Sequence, residues 1–133
     1  MRYAILAAGL LSLPAFGQDK PPPPATACHA RGTLPVVCFV DATVSALTVC
    51  SLSIKLYNKP STYCSAIGLF GHMDYYEGAL KQFDGNAAAQ SMTKDYFALW
   101  QASMDSLLTG SRSQHDRIQY ELGQKANRLK LER

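Results

Sequence analysis

Three groups of side chains in this sequence have the types and spacing that chemistry needs. His72-Met73-Asp74 with Glu77 puts an imidazole near two carboxylates, a pairing that can orient a histidine for proton transfer. His115 and Asp116 are adjacent, and adjacent side chains diverge on a helix, so they make no acid–base pair with each other. Cys28, Cys38, Cys50 and Cys64 could serve as nucleophiles, metal ligands or disulfides. Successive cysteines lie 10, 12 and 14 positions apart with no C-x-x-C pair, which argues against a zinc site completed by His29. There is no Gly-x-Ser-x-Gly elbow and no His-Glu-x-x-His pair. Short His/Asp proximities arise often by chance, and Asp74 with Glu77 also reads as a helix cap. The expectation is a chain without catalytic, metal or cofactor sites. A small enzyme using His72 with Asp74 or Glu77 is the alternative.

The chain's address decides what the cysteines do. Arg2 is the sole charge before Asp19, an apolar stretch runs from Ala4 to Leu13, and Pro14 breaks it. Ala15-Phe16-Gly17 then sets small residues where a signal peptidase requires them, so residues 1–17 read as a signal peptide cleaved after Gly17. The apolar run is too short for a convincing membrane span. An even cysteine count in an exported small protein implies two disulfides, and oxidised cysteines are not nucleophiles. Spacing favours the nested pairing slightly, Cys38 with Cys50 inside Cys28 with Cys64, as in a hairpin turning near Ser45. The sequential pairing would instead close loops around Gly32 and around Asn58-Lys59-Pro60.

Charge narrows the partners. The formal net charge is +3 and falls by one with the loss of Arg2, far short of the dense basic face of a nucleic-acid binder. Residues 18–27 contain four consecutive prolines, a stiff extended spacer between the export signal and a domain over residues 28–133.

The elements that must hold these residues are mostly helical. Val36, Val40, Val44, Leu47, Cys50, Ile54 and Tyr57 recur at helical spacing, Pro35 suits a first turn, and Asn58 with Pro60 is a stop. Alternation of Cys50, Leu52, Ile54 and Leu56 with polar residues supports the α+β alternative, a two-stranded piece over 36–40 and 47–56. Residues 36–54 carry one charge, Asp41, and approach the length of a membrane span; the serines, threonines and cysteines within them favour a buried element. Asp74 begins a capped helix that ends at Asp84-Gly85-Asn86. Phe97, Trp100, Met104, Leu107 and Leu108 form one apolar stripe, broken at Thr109-Gly110-Ser111. Ser111 to Gln114 reads as a capping box for a last helix with a narrow seam of Ile118, Leu122 and Leu129. Residues 90–131 thus make an αα-hairpin.

These readings combine into a small, mostly α, disulfide-stapled domain. Its expected role is that of an exported, non-catalytic interaction protein, such as an accessory subunit, an inhibitor or immunity-type binder, or an adaptor, periplasmic or secreted. The partner is another protein or a second copy, not nucleic acid, and membrane contact through 36–54 is the less favoured reading. Ile118, Leu122 and Leu129, with Tyr75 and Tyr76, are the candidate contact residues. Mass spectrometry of the intact protein recovered from the exported fraction should give a chain beginning at Gln18. A chain that retains residues 1–17 would make the apolar stretch an anchor.

Overall fold

The computed structural model describes Cys28, residues 31–59, Cys64 and residues 73–132. The expected signal peptide, the proline-rich spacer, His29 and His72 lie outside the described residues. Among those described, the chain forms four α-helices: α1 (Pro35–Tyr57), α2 (Met73–Gln82), α3 (Ala87–Thr109) and α4 (Arg112–Lys130). The architecture is mostly α and ends in a helical hairpin. Residues 36–40 and 47–56 belong to one unbroken helix, which overturns the two-stranded alternative. The β-branched residues that suggested strands fit a helix once one side of it is buried, because packing overrides propensity.

Each helix end has a local cause. Leu34 is held extended by the following proline, and Pro35 occupies the first turn without wasting an amide. The next amide, Val36 N–H, donates to Gln82 Oε1 at 2.8 Å, so the end of α2 caps the start of α1. α1 stops at Asn58, which takes the left-handed conformation (φ 57°) and returns its N–H to the Ile54 carbonyl. Asn86 caps α3 by accepting from the Ala89 amide, and Gly110 ends it at φ 82°. There the Gly110 and Ser111 amides take the Leu107 and Ser106 carbonyls in a Schellman closure. Two expected caps are not made. Asp74 lies inside the first turn of α2, and the Ser111 hydroxyl donates to the Gln114 side chain instead of capping an amide.

The disulfides are sequential, Cys28–Cys38 and Cys50–Cys64, which corrects the nested pairing. Cys38 and Cys50 share α1, and 12 residues of helix separate them by about 18 Å. No disulfide spans that distance. Each bridge instead ties α1 to a flanking segment, one before the helix and one after it. Closing loops this short is worth about 3 kcal/mol per bridge.

The core forms where α1 crosses α3. Phe39 meets Tyr96 and Phe97 edge-on at 5.5 Å, while Phe97 stacks on Tyr76 at 4.3 Å and on Trp100 at 5.6 Å. Thr43 is the polar pin in this apolar layer. Its carbonyl accepts from Trp100 Nε1 at 2.9 Å, and its hydroxyl lies 2.7 Å from the Tyr96 hydroxyl. The same hydroxyl lies 2.9 Å from both the Phe39 and the Val40 carbonyls, which claim its one proton, so Tyr96 is the donor in the pair. α4 then packs mainly on α3 and, more lightly, on α1. Leu122, Ala126 and Leu129 bury there, and Lys130 reaches Asp41 at 3.0 Å.

Burial pushes the Tyr96 hydroxyl up to about 12, and the Asp41 charge adds to the rise. The folded chain therefore keeps a proton that the unfolded chain releases near pH 10. This contribution is complete below about pH 10 and is lost as pH rises towards about 12, amounting to roughly 2–3 kcal/mol. Urea unfolding of the wild type should show stability falling across that window. Tyr96→Phe should cost about 1 kcal/mol at neutral pH and flatten the alkaline fall; an unchanged fall would contradict the assignment.

Candidate functional site: a basic cleft and an exposed helix face

A cleft of about 590 Å³ opens where the end of α1, the end of α3 and the start of α4 converge. That volume suits a small organic ligand. α1 contributes Ser51, Ile54, Lys55 and, with the turn beyond it, Asn58 and Lys59, while α4 contributes Arg112, His115, Asp116 and Gln119. α3 supplies the wall at Leu107 and Leu108. Three cations thus face one carboxylate. None of Lys55, Lys59 and Arg112 has an ion-pair partner within 4.0 Å among the described residues. The carbonyls of Ile54, Ser106 and Leu107 at the two converging helix ends already take backbone amides from Asn58, Ser111 and Gly110. They do not need the cations as caps.

His115 forms part of this wall and is only 5% exposed. Its Nδ1 lies 3.0 Å from the Ser103 hydroxyl and 3.2 Å from the Ser103 carbonyl. Its Nε2 is enclosed and has no hydrogen-bond partner, the one such side-chain atom among the described residues. A buried imidazole nitrogen without a partner is costly, by about 1–3 kcal/mol. Ser103 is fully buried behind the ring, so the Ser–His contact positions the imidazole and offers no accessible nucleophile.

The second feature lies on α1. The first half of the helix is packed into the core. In its second half, Val49, Leu52 and Leu56 remain 52%, 53% and 65% exposed. With Ser45 they follow a 4-3-4 spacing, which sets them along one stripe of the helix. Val44, also exposed, flanks this stripe. α1 as a whole is long and apolar enough to cross a membrane by length and composition, with a mean hydropathy of 1.8, and 39% of that window is buried.

The residues singled out from sequence fall into three sets. Tyr75 and Tyr76 are half-buried and pack on the core from α2. Leu122 and Leu129, at 3% and 0% exposure, are core residues, with Ile118 half-buried beside them. The seam is occupied by α3 and α1 of the same chain, so it is not an open contact surface, and this corrects the expectation. Asp74 and Glu77 are exposed on α2, and neither lines the cleft. Sequence reasoning missed both His115 and the α1 stripe. His115, Ile118 and Leu122 follow 3-4 spacing, a signal that places the histidine at the head of the buried seam.

Comparison with known proteins finds no family model, no curated protein and no solved structure that matches this chain. The class is therefore structural: among the described residues, a mostly α unit of four helices and two disulfides with a basic cleft and an exposed apolar helix face.

Leu122→Asp should unfold the protein instead of merely preventing association, because it buries a charge among α3 side chains. The loss should exceed about 3 kcal/mol, seen as a collapse of the helical circular dichroism signal. A folded Leu122→Asp chain would contradict this placement.

Proposed function

We propose that this chain is an exported, non-catalytic interaction protein whose contact surface is the second half of α1. The observation that supports this reading is the stripe Val49, Leu52 and Leu56, left in water on a helix whose other side is committed to the core. Contiguous exposed apolar side chains are costly for a soluble monomer and mark interaction sites. The two disulfides are compatible with an oxidising, exported environment, and the expected signal peptide adds to that reading.

The occupant is a second copy of the chain. A 4-3-4 spacing is the seam of a two-helix pair. Antiparallel pairing about a twofold axis sets Ser45 opposite Leu56 and Val49 opposite Leu52, small against large, so the stripe fits itself. A membrane-spanning role for α1 competes poorly. It would withdraw Thr43, Phe39 and Val36 from Tyr96, Trp100 and Gln82, to which they are packed or hydrogen-bonded.

Light scattering on the mature, oxidised protein should give a dimer, and Leu52→Glu should convert it to a monomer with its helical signal intact. A wild-type chain that stays monomeric at ~100 μM, weaker than a specific pair should be, would contradict self-association. So would a Leu52→Glu chain that remains dimeric.

A further inference from the structure

We propose that the cleft between α1, α3 and α4 binds a small organic anion that carries a phosphate-type group. Three observations converge on it. Lys55, Lys59 and Arg112 line one cleft and lack ion-pair partners among the described residues, a concentration of positive charge that an oxyanion would neutralise. His115 lines the same cleft with an enclosed Nε2 that nothing in the fold satisfies, while Ser103 fixes its ring from behind. The positive end of the α4 backbone dipole adjoins the cleft through Arg112, and Ser111 places no side-chain cap on that end.

The shape sets the rest of the ligand. A cleft of about 590 Å³ is far larger than a bare phosphate. Ile54, Leu107 and Leu108 line it alongside the cations, so an apolar body and a charged head are accommodated together. Arg112 offers a planar fork of donors for two oxygens, Lys55 and Lys59 act as point charges, and the buried His115 ring forms the wall behind them. Asp116 disfavours a second anionic group on its side, which orients the ligand. The site requires no bond to be made or broken.

Phenyl phosphate is the probe, since it joins a ring to the phosphate. Calorimetric titration of the mature, disulfide-bonded protein should give one site per chain, bound roughly tenfold more tightly than inorganic phosphate, with no binding of phenol. The His115 imidazole nitrogen resonances should move during the titration, a response that loose surface attraction would not produce. Lys55→Glu combined with Arg112→Glu should weaken binding at least about tenfold while the helical signal is unchanged; both side chains are at the surface, so folding is preserved. Vesicles of phosphatidylglycerol in phosphatidylcholine separate a lipid headgroup from a soluble ligand, and only the soluble probe is expected to bind. The proposal is overturned by a lack of saturation at ~10 mM phenyl phosphate. Binding that the double variant leaves intact, His115 resonances that stay fixed, or binding to vesicles alone would each overturn it too.

Discussion

The structure depends on Thr43 being held from two sides. Its carbonyl takes the Trp100 indole proton and its hydroxyl takes the Tyr96 phenol proton, both from α3. Inside an apolar layer, each of these polar groups would be costly alone. Together they fix the register of α1 on α3, because a shift of one residue along either helix would part the Trp100 indole and the Tyr96 phenol from Thr43. The rings of Phe39, Tyr76 and Phe97 then close over the pin. α2 caps α1 through Gln82, and α4 lies along α3 through Leu122, Ala126 and Leu129.

This arrangement divides α1. Before Ala46 the inner side of the helix lies against aromatic side chains; from Val44 onward an apolar outer face meets solvent. The Cys50–Cys64 bridge ties the chain beyond the helix back to it. The division explains how one helix can hold a core and still present Val49, Leu52 and Leu56 outward. It also places the cleft: once the helix runs past the core, Lys55 and Lys59 project towards the α3–α4 turn, where Arg112 and His115 stand.

Much of the fold was legible in the sequence. Helical spacing, Pro35, the Asp84-Gly85-Asn86 turn and Gly110 located the four helices among the described residues, because these signals act within a few residues of chain. The disulfide pairing was misread because it depends on a choice between helix and hairpin that twelve residues of mixed pattern do not resolve. The Ile118, Leu122 and Leu129 seam was found correctly but given the wrong neighbour: a narrow apolar stripe looks the same whether its own chain or another covers it. The cleft was not legible. Lys55, Lys59, Arg112 and His115 are scattered through the sequence and meet only after α1, α3 and α4 pack, and adjacency to Asp116 carries no sign of the contact between His115 Nδ1 and Ser103.

The central claim is that the outer face of α1 is where this protein makes contact with another copy. The most direct measurement is isotope-filtered NOE spectroscopy on a mixture of labelled and unlabelled mature protein, which reports only proton pairs shared between chains. The account predicts intermolecular NOEs between Val49 and Leu52 methyl groups, and between Leu56 and Ser45 protons, with none from Leu122 or Leu129. Intermolecular NOEs confined to other helices, or none in a concentrated sample, would contradict it.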